Sequence, residues 1–254
     1  MRARRIWREW QLKLDVLAFG AHPDDVELSC GGTIVKLKQQ GYRVGIVSLT
    51  RAERGTRGDW QTRLREFEES ARTMGLDVAE ALDLPDAAIE LTPEHRGRLI
   101  QVIREYRPDL VIAPYWKDRH PDHVKTSRLV QEAAYYSGLA RLETDQPPHR
   151  PRTIVYYPLY LDFQPSFVVD VTETFERKLQ AIQCYRSQFH GGGPESSQAP
   201  PTLLSAPDFL DYIITRAKYW GARIGVRYGE PFRWHGPIPV EDLVRTFGHL
   251  SELR

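Results

Sequence analysis

Residues 16–28 read VLAFGAHPDDVEL, and no other stretch constrains the chain as strongly. The first half is apolar, short and ended by Gly20, the pattern of a strand buried on both faces of a parallel sheet. The second half puts His22, Asp24 and Asp25 in the turn where that strand ends. Gly31, Gly32 and Thr33 then open a helix through Ile34, Val35 and Leu37 that stops at Gly41. In open α/β sheets, ligands bind beyond the carboxyl ends of strands. A histidine and an aspartate there can reach one metal ion, with Asp24 between them facing elsewhere. The same residues also suit a polar turn whose aspartates cap the helix. Taken alone, the stretch leaves both readings open.

The remainder of the chain alternates in the same way. Strands are expected at 43–49, 81–84, 109–113, 153–157 and 167–171. Helices are expected at 61–74, 93–106, 124–136, 172–189 (with Thr172 as N-cap) and 207–219, with irregular chain beyond. Alternation of this kind predicts an α/β fold, Rossmann-like and doubly wound, with a mainly parallel sheet and helices on both faces. No repeat or composition shift divides the 254 residues, so a single domain over 14–254 is expected. Residues 1–13 form a basic extension in which Trp7 and Trp10 suit a surface helix or an oligomer contact. The arginine-rich loop at 50–59 can sit over a pocket or be solvated surface, and 190–201 reads as a flexible connector or lid.

Thirty-five Lys and Arg against 34 Asp and Glu leave a net charge of +1, which gives no support to a nucleic-acid or membrane-surface partner. No apolar run approaches membrane-spanning length. Two cysteines, Cys30 and Cys184, make no disulfide framework, so a reducing, cytoplasmic setting is expected.

Directly after the expected strand DLVIA comes PYWKDRHPDH, at 114–123. A second strand end thus carries imidazole and carboxylate, and HPDD is answered by HPDH. Both loops should open into one crevice, which favours a metal site over two unrelated polar turns. His22, Asp25 and His123 make a three-ligand set that leaves a position open for water. Asp24, adjacent to a ligand and pointing away from it, is placed to take a proton from the attacking water. His120 should line the pocket without ligating and, as an imidazolium, stabilise an oxyanion or protonate a leaving amine. Asp122 can hold His120 in the needed tautomer and raise its pKa, or simply cap the loop.

GAHPDDVEL together with RHPDHV resembles the LmbE/PIG-L family of metal-dependent N-acetylglucosaminyl deacetylases, over about 14–232. Within it, the chain is most similar to the branch acting on N-acetylglucosaminyl malate in bacillithiol biosynthesis. The wider family often reads HPDDE, whereas Val26 precedes Glu27 here, a variant that branch shares. The resemblance implies zinc on His22, Asp25 and His123, Asp24 as base and His120 as electrostatic partner. It implies a small amino-sugar substrate, with no nucleic acid and no membrane. It also implies a homo-oligomer, since relatives form hexamers. Arg63, Arg150 and Tyr228 fall where relatives place substrate groups, and two arginines would suit an acidic aglycone.

Other readings remain. The amide substrate can instead be free N-acetylglucosamine, a chitobiose unit or a thiol conjugate. His₂Asp accepts iron or cobalt as well as zinc, and two histidines with one carboxylate also make the facial triad of non-haem iron oxygenases. Those oxygenases are rich in β structure, unlike this alternating chain. A nucleotide-binding module would need GxGxxG after the first strand, and Asp24 and Asp25 would repel a phosphate there.

Overall fold

The computed structural model describes residues 12–189 and 200–248. Trp7, Trp10 and residues 190–199 of the connector expected at 190–201 lie outside them. The elements run β1 (Val16–Gly20), α1 (Asp25–Gln39), β2 (Val44–Ser48), α2 (Trp60–Met74), β3 (Val78–Ala81), α3 (Pro93–Tyr106), β4 (Leu110–Pro114) and α4 (Pro121–Tyr136). Then follow β5 (Thr153–Tyr157), β6 (Phe167–Asp170), α5 (Phe175–Gln183), α6 (Phe209–Arg223), β7 (Gly229–Phe232) and α7 (Leu243–Phe247). Five parallel strands form one sheet in the order β3-β2-β1-β4-β5, and β6 pairs antiparallel with β7. This is the α/β architecture the alternation predicts.

All five residues of β1 are buried, because helices cover both faces of the sheet. Leu17 and Phe19 pack on one side with Leu99 and Ile103 of α3 and Leu129 and Val130 of α4. Val16 and Ala18 face the other side, with Ile34 of α1, Phe67 of α2 and Ala181 of α5. The two-residue alternation of a strand therefore divides the apolar core into two layers. No helix among the described residues is long and apolar enough to cross a membrane.

The expected element boundaries hold best where caps are strong. Thr92 caps α3 by accepting the His95 N–H, Pro93 sits in its first turn, and the helix ends at Tyr106 as expected. The third strand lies at Val78–Ala81 instead of 81–84. The apolar Leu82 and Leu84 follow it, with their N–H groups still bonded to Ser48 and Leu49 carbonyls. The helix expected at 172–189 is confined to α5, and the Thr172 hydroxyl accepts the Tyr228 N–H instead of capping it. Beyond 219 the expected irregular chain contains β7 and α7, whose short lengths and lack of periodicity conceal them.

The first helix also begins earlier than Gly31. It starts at Asp25 and is broken at Cys30, where φ is −132° and ψ 22°. The Gly-Gly-Thr signal marks the start of its second half. There the N–H groups of Gly32 and Thr33 donate to the Glu230 carboxylate at 3.0 and 2.7 Å, and the Thr33 hydroxyl adds a third bond at 2.6 Å. Lys178 donates to Glu230 at 2.6 Å and to the Ser29 carbonyl at 3.2 Å. Gly32 is required by this close approach, since a Cβ there would lie 2.9 Å from the Val171 Cβ. Both charged side chains are at least 97% buried, so removing one leaves the other uncompensated. Lys178→Met is expected to cost about 3–5 kcal/mol of stability, read from urea denaturation. An unchanged midpoint and slope would show that the pair does not lock the kink.

Candidate metal centre

Strand β1 lies between β2 and β4, so the chain leaves the sheet toward opposite neighbours at this point of the strand order. A crevice opens there at the carboxyl ends of β1 and β4. The turn after β1 delivers His22 to Asp25. The loop after β4 runs into α4, with His120 as N-cap, Pro121 in the first turn and Asp122 and His123 just behind. The HPDH signature therefore opens the helix expected to start at 124. Its proline can take the first helical position because an N–H there would have no partner.

His22, Asp25 and His123 come together, with one potential ligand atom from each within 4.8 Å of the others. The Asp25 Oδ2 accepts the N–H groups of Ala21 and His22 at 2.8 and 3.0 Å, which anchors the carboxylate. Its Oδ1 lies 3.4 Å from His123 Nε2. On the far side of each imidazole stands another carboxylate. His22 Nε2 is 3.2 Å from Asp86 Oδ1, and His123 Nδ1 is 3.0 Å from Asp118 Oδ1. Each outer carboxylate fixes a ring proton on the nitrogen it faces and leaves the other nitrogen free to ligate. Asp118 also accepts the N–H groups of His120 and Tyr160, so one side chain aligns three parts of the wall. The donor set fits a divalent cation, with one position left open. Charge agrees. Burial pushes His22 and His123 down, but the surrounding carboxylates outweigh it and hold both above the ordinary histidine value, His123 at about 9. Burial pushes Asp25 up, and the facing histidines outweigh it and hold it well below the ordinary range.

Asp24 takes no capping role. Its backbone is left-handed, with φ 109°, and its carboxylate turns to Arg63 at 2.8 Å, inside the pocket. Arg63 also donates twice to the Pro23 carbonyl. It is buried and paired with Asp24, so it sits beside the triad and holds another protein group. Burial raises Asp24 to about 6 against the pull of Arg63.

Two expected roles change. The N–H of Asp122 donates to His120 Nδ1 at 3.2 Å, so that nitrogen accepts and the ring carries its proton on Nε2. The Asp122 carboxylate instead accepts the Ala87 N–H at 2.8 Å and lies 3.6 Å from His22. Burial, then the nearby His123 and His22, lower the His120 pKa, whereas a raised value was expected from Asp122. With Nδ1 accepting, Nε2 is the nitrogen left to donate. Arg150 lies elsewhere, beyond the C-terminal end of α4, stacked over the Tyr135 ring and bonded to its carbonyl. Tyr228 stacks on Phe175 at 4.0 Å, beside β7, and packs in an apolar cluster. Neither lines the cavity.

The cavity above the triad holds about 270 Å³. Its walls include Ala52, Arg54, Gly55 and Thr56 from the loop expected there, with Tyr160, Gln188 and Thr202 opposite. Asp86 belongs to a third strand-end turn, after β3, and the reasoning used for the first two turns would have found it. Tyr160 stacks on His123 with nothing in its sequence setting to mark it.

The family described as PIG-L, GlcNAc-PI de-N-acetylase, matches residues 17–134. Diacetylchitobiose deacetylase of Thermococcus kodakarensis is 32% identical over 234 residues, covering 86% of this chain and 82% of that protein. A conserved protein from Thermus thermophilus superposes with a TM-score of 0.81 at 36% identity, covering 89% of this chain and 97% of that one. A 4-oxalmesaconate hydratase of Pseudomonas putida is 27% identical over 201 residues, covering 68% of this chain and 74% of that protein.

Loss of an outer carboxylate should loosen the ion without touching a ligand. Asp118→Ala is expected to weaken divalent-cation affinity by about 10–100-fold, measured by competition with a chromogenic chelator. Parental affinity would mean that His123 needs no orientation by Asp118.

Proposed function

The chain belongs to the PIG-L family, and from that premise we propose a zinc-dependent hydrolase that removes the acetyl group from an N-acetylglucosaminide, with N-acetylglucosaminyl malate of bacillithiol biosynthesis as substrate. Its activity class is N-deacetylation, hydrolysis of a linear amide. One observation carries this reading: an open three-ligand set lies beside Asp24, a carboxylate that faces the cavity and takes no ligand position.

A divalent cation on His22, Asp25 and His123 supplies a Lewis acid for the amide carbonyl and lowers the pKa of water. Asp24, steered into the cavity by Arg63, accepts a proton from the attacking water. A cation next to it would oppose the rise caused by burial and keep it ionised. His120 donates its Nε2–H to the carbonyl oxygen as negative charge develops there. The C–N bond then breaks, and the proton held by Asp24 passes to the departing nitrogen. Acetate and a free amine leave. The malyl aglycone needs a cation, and with Arg63 paired and Arg150 remote it rests on Arg54, which lines the cavity.

Asp24→Asn should lower turnover by about 100- to 10,000-fold while metal content stays parental, because it loses a base and no ligand. Asp25→Asn should lose the ion itself, measured by elemental analysis of both proteins. Metal loss in the first variant and retention in the second would reverse these roles. An acetate-release panel of malyl, methyl and chitobiosyl N-acetylglucosaminides tests the substrate. Arg54→Ala is expected to cost about 1.5–3 kcal/mol with the malyl glycoside alone. Equal losses with every glycoside would remove the acidic aglycone. No acetate from any of them, with iron-dependent oxygen uptake, would favour the oxygenase reading.

A further inference from the structure

Gln188 and Thr202 both line the cavity, and neither has a part in the hydrolysis. Gln188 lies just after α5 and is 6% exposed. Its Nε2 donates to the Arg57 carbonyl at 2.7 Å and to Ser187 Oγ at 2.8 Å. A backbone carbonyl can only accept, so the atom facing it is the amide nitrogen. The second bond has a fixed direction too. The Ser187 hydroxyl donates to the Glu66 carboxylate at 2.6 Å, which leaves its oxygen to accept from Gln188. Both amide protons are thus held by protein groups, and Oε1 remains as an acceptor alone. Among the described residues Oε1 meets no hydrogen-bond donor, yet it is not shut off from solvent, and the space this residue lines is the cavity. Thr202 offers the complement. Its Oγ1 accepts the Ser205 N–H at 3.3 Å, and its own proton meets no acceptor among the described residues. The cavity therefore carries a fixed neutral acceptor and a free hydroxyl donor. An acidic aglycone brings carboxylate acceptors, which Oε1 would repel, and the acetamide is directed at the triad. The hydroxyls of a pyranose ring fit, since each both donates and accepts.

We propose that Gln188 is a specificity-determining residue whose Oε1 accepts a hydrogen bond from a sugar-ring hydroxyl remote from the acetamide, with Thr202 donating to that hydroxyl or its neighbour. The proposal rests on the N-acetylglucosaminide reading of the site. It adds what Arg54 does not supply, selection of the sugar apart from its aglycone. The bonds from Nε2 to Arg57 and Ser187 hold the amide in place before the substrate arrives. A substrate lacking the hydroxyl then leaves Oε1 unpaired in a nearly buried position.

The test compares kcat/KM of the full chain for methyl N-acetylglucosaminide and its 3-, 4- and 6-deoxy analogues. Calorimetry follows binding of the same glycosides to Asp24→Asn. The methyl glycoside has no anionic aglycone, so Arg54 takes no part in the comparison. With Gln188 in place, one analogue is expected to lose about 10–100-fold in kcat/KM and in affinity. In Gln188→Leu, shown to be folded by its melting curve, that penalty is expected to vanish because the acceptor is gone. Thr202→Val, which leaves the Gln188 bonds intact, is expected to reduce the same penalty. A purely structural role for Gln188 would slow all the glycosides together and keep the penalty, which overturns the proposal. Equal values for every glycoside with the parental protein overturn it as well. So does a penalty undiminished in Thr202→Val, should Gln188→Leu not fold. Failure of the underlying hydrolase reading looks different: no glycoside releases acetate, while calorimetry still reports the preference for the hydroxyl. Absence of binding by any of them overturns both.

Discussion

The Asp25 carboxylate is the point on which the rest of the site depends. One oxygen closes the turn by accepting two backbone N–H groups from the end of β1, and the other faces His123 at the start of α4. It therefore joins the first strand, the first helix and the fourth helix around a single buried charge. A carboxylate in this position is costly unless opposite charge and hydrogen bonds surround it. Histidines on both sides supply that compensation, and a divalent ion would supply more.

Strain gathers at the same place. Among the described residues, the left-handed non-glycine positions are Asp24, Ala52, Ala87 and Arg107, and the first three line the cavity. Such backbone persists only where surrounding bonds hold it. Here the Ala87 N–H is held by Asp122, and the carboxylate of Asp24 by Arg63. The twist at Asp24 lets adjacent aspartates do different work, one anchored toward the ligands and one aimed at the open space. Behind them, the Glu230–Lys178 pair fixes the break in α1 and so sets the angle of its first turn.

The two strand-end motifs were legible because each combines a continuous apolar run with residues that suit a turn, and because parallel sheets bring such ends together. His22, Asp24, Asp25, His120 and His123 follow from that reasoning alone. Asp86 was within its reach, since it too lies at the end of a strand. The positions of Arg150 and Tyr228 were not legible, because an arginine after a loop and a tyrosine near a strand carry no periodic signal of direction. The structure sends one to the opposite end of α4 and the other into an apolar cluster.

The sequence by itself determined the layered α/β plan, the expectation that two strand-end loops share one crevice, and the chemistry of the donors, because periodicity and local turn chemistry act over a few residues. Only the tertiary structure decided which partner each polar group meets. Glu230 caps a helix break nearly two hundred positions earlier in the chain, Arg63 binds Asp24 in place of a substrate, and Asp122 turns its carboxylate to His22 while its N–H sets the His120 tautomer. These contacts arise from packing elements that are distant in sequence, and hydrogen-bond direction between them is invisible until the backbone is in place.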